Sequence, residues 1–97
     1  MAKGYWVSCY RSIKSTDALA AYAKLAGPAI EAGGGKFLAR GGRLEAFEAA
    51  VKERTVIVEF PSFEAALATR NGAAYQAALK ALGDAAERDF RVTEGVD

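Results

Sequence analysis

The sequence predicts an α+β fold in which two helices cover one face of an antiparallel four-stranded sheet. Three observations support this prediction. Four short stretches rich in aromatic and β-branched residues have the composition of strands. Two longer alanine-rich stretches repeat their apolar residues at helical spacing. The elements follow one another as strand, helix, strand, strand, helix, strand, and 97 residues suffice for a single domain over residues 1–97.

The first predicted strand, residues 4–11, is apolar on both faces. Because side chains alternate along a strand, one face carries Tyr5, Val7 and Cys9, and the other carries Trp6, Ser8 and Tyr10. A strand that is apolar on both sides is covered on both sides. The helices cover only one side, and we expect them to leave the face of Trp6, Tyr10 and Ile57 bare.

The first helix is predicted to begin after Ser15, whose hydroxyl can accept from free backbone amides, and Asp17 suits its positive end. Pro28 cannot donate a backbone hydrogen bond, so we expect a kink or two helical pieces there. The glycines at 33–35 end the helix.

The middle of the chain predicts two strands, residues 36–40 and 54–60, that Pro61 closes because it lacks an amide hydrogen. The glycines at 41–42 allow a bend or bulge. Residues 45–52 are rich in alanine and glutamate and fit a short helix, but the fold favours an extended return.

The second half predicts a helix over 63–70, a turn at Asn71–Gly72, more helix over 73–86 and a last strand over 88–94. The resulting order, β-α-β-β-α-β, is that of the ferredoxin-like fold. Its bare sheet face would be an exposed apolar patch. Burying about 800 Å² per partner makes a standard interface, so we expect a homodimer.

Composition excludes several classes of function. The net charge is +1 without a basic stripe, which argues against nucleic acid. No apolar run approaches the roughly 18 residues of a membrane span. The chain start lacks the apolar region of a signal peptide, and one cysteine suggests a reducing, cytoplasmic compartment. With no histidine, we expect neither a metal nor a cofactor.

The candidate site residues each have a structural alternative. Arg40 and Glu59 on neighbouring strands could bind an acid or act as a base–electrophile pair, or could form a cross-strand ion pair. Tyr75 could donate into a cavity or pack between helices. Cys9 is interpreted as an inert thiol, because no histidine is present to activate it.

Several blocks of the sequence resemble a bacterial family of unknown function, the domain-of-unknown-function family 1330. They are Gly4–Trp6, Gly34–Gly42, Val58–Ser62, Ala65–Ala66, Tyr75 and Glu94–Gly95. The resemblance implies a dimeric α+β barrel, in which two ferredoxin-like sheets close around a cavity. That superfamily includes monooxygenases acting on quinone-like substrates, muconolactone isomerases, haem-degrading enzymes and stress-responsive proteins.

Two hypotheses follow from the resemblance. The first is a homodimer that binds a small organic molecule between its sheets, with an enzyme that uses no metal or cofactor as one form of it. The expected lining is Trp6, Ser8, Tyr10, Arg40, Glu59 and Tyr75, although Trp6, Ser8 and Tyr10 also suit plain dimer packing. The alternative is a non-catalytic structural or stress-associated dimer with a side-chain-filled cavity. Thr69, Arg70 and Leu82 favour it, because they replace the usual Trp-Tyr pair and arginine.

Overall fold

A computed structural model describes residues 2–96. Its elements are β1 (Gly4–Ile13), α1 (Thr16–Ala32), β2 (Lys36–Arg40), β3 (Thr55–Phe60), α2 (Phe63–Asn71), α3 (Ala73–Leu82) and β4 (Ala86–Glu94). The strands form one antiparallel sheet in the order β2-β3-β1-β4. The α+β prediction is confirmed, and the element order is that of the ferredoxin-like fold.

The helices lie where they were predicted, but α1 is not broken at Pro28 and α3 ends before the predicted end at residue 86. α1 runs unbroken with Pro28 inside it, and the Ser15 side chain accepts from the Ala18 amide as expected. The predicted turn at Asn71–Gly72 separates α2 from α3, and Gly72 has extended backbone angles there. α3 ends at Leu82 because Gly83 turns the chain with a φ of +56°.

The connection between β2 and β3 contains neither helix nor strand from residue 41 to residue 54. The prediction that residues 45–52 return in an extended strand is therefore wrong. Gly41 bends the chain with a φ of +70°, but the β-bulge lies earlier, between Phe37 and Ala39.

The predicted assignment of the two sheet faces is wrong for β1. Trp6 is 2% exposed, and its indole Nε1–H donates to the Ala66 carbonyl of α2 at 2.9 Å. The face of Trp6 therefore lies under the helices. The face of Val7 is the bare face, which no helix covers, and the connection between β2 and β3 borders it beside Val7 and Cys9.

The neighbouring strands explain which face the helices cover, because Val58 of β3 and Phe90 of β4 also project on the Trp6 side and make that face the more apolar one. Ile57 pairs with Val7 and lies on the bare face, so the predicted grouping of Ile57 with Trp6 and Tyr10 on one face is also wrong.

The core is built around Trp6. Its ring lies 5.0 Å from Phe60, 4.7 Å from Tyr75 and 5.2 Å from Phe90, measured between ring centroids. Tilted aromatic contacts of this kind stabilise a core beyond the area that they bury. α1 contributes Tyr22 and Ile30 to this core and also packs on α3.

Candidate functional site

A cavity of about 50 Å³ lies between α1 and the sheet. On the helix side it is bounded by small residues, among them Ala23, Ala26 and Gly27. These side chains are too short to fill the space that α1 leaves above the strands. Leu19, Ile30 and Phe37 add an apolar wall.

Three arginines reach this cavity: Arg40 at the end of β2, Arg54 just before β3, and Arg88 in β4. Within residues 2–96, no carboxylate lines the cavity or lies within 4.0 Å of these guanidinium groups. Because arginine does not lose its proton in proteins, the lining carries only positive formal charge.

Arg88 is held by two tyrosines. Its Nη1 donates to the Tyr22 hydroxyl at 3.1 Å and to the Tyr75 hydroxyl at 3.4 Å, and the two hydroxyls are 2.5 Å apart. Its guanidinium also lies 5.5 Å from the Tyr10 ring and 5.1 Å from the Phe90 ring. Arg88 is therefore fixed in position by its neighbours.

The protonation states in this cluster follow from burial and from its members. Burial by itself lowers the pKa of Arg88, but the oxygens of Tyr75 and Tyr22 raise that pKa above its ordinary value overall. Burial, and then the neighbouring Tyr75, raises the pKa of Tyr22 despite the opposing charge of Arg88. At neutral pH Arg88 is therefore charged and Tyr22 neutral.

Two buried polar atoms on the lining have no hydrogen-bond partner among the described residues. They are Ser8 Oγ and Arg54 Nε, and Ser8 as a whole is 3% exposed. Leaving a buried polar group unpaired costs about 1–3 kcal/mol. The cavity therefore has unused hydrogen-bonding capacity beside its apolar wall.

Of the residues predicted to line a site, Trp6, Ser8, Tyr10 and Arg40 do lie together on the cavity. They do so on the helix side of the sheet rather than on the side expected. Tyr75 lies behind the lining and is fully buried; its hydroxyl contacts Tyr22 and Arg88.

Glu59 is not brought to the cavity. It lies on the bare face, where its carboxylate is 3.0 Å from Lys3 Nζ. The bulge between Phe37 and Ala39 explains the separation, because it pairs Arg40 with Val56 and so moves Arg40 to the helix side. Arg40 and Glu59 therefore form neither of the pairs predicted from the sequence.

Sequence reasoning missed Arg54, Arg88 and Tyr22. The sequence could have identified Arg88, because it lies two residues before Phe90 and four before Val92 and therefore shares the apolar face of β4 with them. An arginine at such an inward position is unusual. Tyr22 belongs to the apolar stripe of α1 and looked like ordinary core. Arg54 had no distinguishing pattern, because its orientation depends on the irregular connection before it.

A second cavity, of about 440 Å³, lies between the bare face and the connection from Leu44 to Val51, and Arg11, Asp89 and Arg91 are among its lining residues. Within residues 2–96, no cluster of three or more cysteine, aspartate or glutamate side chains is arranged to hold a metal ion. Cys9 is a free, half-buried thiol on the bare face. In the described part of the chain, every helix is too short or too polar to cross a bilayer.

The fold and the cavity define a ferredoxin-like α+β protein with a pocket on the helix side of its sheet. Within that class the chain belongs to the family described as "Domain of unknown function (DUF1330)", whose model matches residues 3–96. The resemblance noted in the sequence is thereby confirmed.

Two similar solved structures are of one protein of unknown function. RPA0582 from Rhodopseudomonas palustris is 20% identical over 99% of this chain and 84% of that chain, with a TM-score of 0.75. Its methylated form is 20% identical over 99% of this chain and 82% of that chain, with a TM-score of 0.74. Comparison with curated proteins gave no significant match. At this identity the similarity establishes the fold alone.

Proposed function

We propose that this protein binds a small organic molecule in the cavity between α1 and the sheet. The observation that supports the proposal is the pair of unpartnered buried atoms, Ser8 Oγ and Arg54 Nε, beside an apolar wall. Ligand pockets combine a mostly apolar lining with a few polar groups that orient the ligand. A bound molecule would satisfy both atoms.

The size of the cavity limits how the molecule enters. A volume of about 50 Å³ holds roughly three or four water molecules. A ligand of more than a few atoms therefore requires α1 to move outward from the sheet.

We further propose that the protein forms a homodimer through the bare face of the sheet. Val7 and Ile57, at its centre, are half-buried and apolar. An ion pair lies on either side of them: Lys3 with Glu59 at 3.0 Å, and Arg91 with Asp89 at 3.0 Å. An apolar centre with a polar rim is the usual anatomy of an interface. The ligand cavity and the interface are then on opposite sides of the sheet.

A cytoplasmic location stays a prediction from the single cysteine. The catalytic form of the proposal is a metal-free and cofactor-free reaction of the bound molecule. The hydroxyls of Ser8 and Tyr22, both on the lining, are the groups that could take part.

The alternative function is a non-catalytic structural or stress-associated dimer whose cavity is filled by side chains. It is favoured by the mutual hydrogen bonds of Tyr22, Tyr75 and Arg88, which complete one end of the cavity without a ligand. The small cavity volume also suits it.

Fluorescence of Trp6 distinguishes the two functions, because Trp6 is the one tryptophan in the sequence and lines the cavity. We expect members of a library of small organic molecules to change its emission and raise the Tm. Ala23→Leu fills the cavity and should abolish both effects, whereas Ala20→Leu, at an exposed position of α1, should not. If no molecule binds, or if Ala23→Leu binds as well as wild type, the ligand-binding function is wrong.

A further inference from the structure

We propose that the ligand of this cavity is a small organic acid whose carboxylate is bound by Arg54, Arg40 and the Ser8 hydroxyl. This inference rests on the proposed ligand-binding function and specifies the chemical class of the ligand. Its basis is the charge, the free donors and the apolar wall of the cavity.

The charge of the lining is one-sided. Arg40, Arg54 and Arg88 contribute guanidinium groups, and within residues 2–96 no carboxylate lies within 4.0 Å of them. Positive charges attract an anion and repel a cation. The lining therefore favours an anionic ligand over a neutral or cationic one.

Arg54 and Arg40 are positioned by contacts other than ion pairs. Arg54 lies close over Gly41, where a Cβ would collide with its guanidinium, and Gly41 is held at a φ of +70°. Arg40 stacks on the Phe37 ring, with Cζ 4.2 Å from the centroid. Their side chains are held in place while hydrogen-bond donors remain for a ligand. A guanidinium matches a carboxylate with two parallel hydrogen bonds.

Ser8 and Arg54 supply the buried donors. Ser8 Oγ and Arg54 Nε are without partners among the described residues, and both residues line the same cavity. A carboxylate accepts hydrogen bonds at both oxygens, so it can pair with a hydroxyl and a guanidinium together. Arg88 contributes charge, because Tyr22 and Tyr75 already accept from its donors.

The apolar wall indicates that the anion carries an apolar body. Leu19, Ile30, Phe37 and Val56 line the cavity opposite or beside the arginines. Inorganic phosphate would leave this wall uncovered by ligand. A short aliphatic or aromatic acid would use both the charged and the apolar parts of the lining.

The test compares acids with their uncharged amides at pH 7 and constant ionic strength. Benzoate is paired with benzamide and butyrate with butyramide, inorganic phosphate is a third arm, and Trp6 fluorescence is the readout. We expect the acids to bind at least about tenfold more tightly than the matching amides, because hydrogen bonds to charged groups are the stronger ones. Inorganic phosphate should not compete at the same concentrations.

Variants locate the carboxylate. Arg54→Met and Arg40→Met should each weaken benzoate binding about tenfold or more. Arg43→Met, at an exposed residue outside the cavity, removes the same charge and should leave binding unchanged. Ser8→Ala should weaken benzoate binding without lowering the Tm of the free protein, since the hydroxyl it removes has no partner. Arg40 is exposed, so its variant should fold even if that of Arg54 does not.

The outcomes separate this inference from the function on which it rests. If amides bind as tightly as acids, or if neither arginine variant weakens benzoate binding, the proposal that the ligand is an acid is wrong. The proposal that the cavity binds a ligand then still stands. If inorganic phosphate displaces benzoate at equal concentration, the proposal that the anion carries an apolar organic part is wrong. If neither the acids and amides nor any member of the library of small organic molecules changes the fluorescence of Trp6, the ligand-binding function itself is wrong.

Discussion

A pair of substitutions at adjacent positions of β1 tests which face of the sheet is covered by the helices. Trp6→Asp places a carboxylate under α2, and Val7→Asp places the same carboxylate on the bare face. We expect Trp6→Asp to unfold the chain and Val7→Asp to leave it folded but monomeric. The two variants have the same charge, so their difference reports position alone.

The magnitudes follow from the surroundings of each residue. Trp6 is 2% exposed and its indole donates at 2.9 Å to the Ala66 carbonyl. Losing a large core side chain costs about 3–5 kcal/mol, and an unpaired buried charge adds several more. A domain of 97 residues has a total stability of about 5–15 kcal/mol, so the variant is at or beyond the limit of folding. Val7→Asp should cost about 1 kcal/mol in a monomer.

Urea unfolding followed by circular dichroism measures the first effect, and light scattering measures the second. Ala21→Asp, on the exposed side of α1, is the control that should remain both folded and dimeric. A folded Trp6→Asp together with an unfolded Val7→Asp would overturn the face assignment. A Val7→Asp variant that remains dimeric would refute the proposed interface.

Two further predictions concern stability. Because burial and Tyr75 raise the pKa of Tyr22 in the folded chain, its contribution is complete below the unfolded value of about 10 and is lost as pH rises above it. Urea titrations at about pH 9 and about pH 11 should show a smaller loss for Tyr22→Phe than for wild type; equal losses would contradict this. Gly4→Ala should cost about 1–3 kcal/mol, because its Cβ would collide with the Ser62 carbonyl, whereas Gly42→Ala meets nothing within 4 Å and should change the unfolding free energy by less than about 0.5 kcal/mol. Equal Tm values for the two glycine variants would refute the close approach.

The sequence was sufficient for the fold because local signals there agree with one another. Aromatic and β-branched runs marked the strands, and Ser15 marked a helix start, where its hydroxyl accepts the expected amide hydrogen bond. Ser62 caps α2 in the same way. The division of α2 from α3 was signalled by Asn71–Gly72, although the extended backbone at Gly72 that produces it was not predicted.

The site was less predictable because it depends on which sides the strands present. In β1 both sides are apolar, so alternation alone could not say which side the helices cover. In β2 a single bulge, between Phe37 and Ala39, moved Arg40 to the helix side and left Glu59 on the other. A register shift of one residue changes the face of every later side chain, and nothing in the sequence marks that position.

Methyl NMR of the labelled protein with benzoate tests most directly whether the ligand lies on the helix side of the sheet. Leu19, Ile30 and Val56 have methyl groups on the cavity, and Val7 and Ile57 have theirs on the bare face. We predict that benzoate shifts the first set in proportion to its occupancy and leaves the second unchanged. Shifts confined to Val7 and Ile57 would instead put the ligand on the bare face and contradict the cavity as its site.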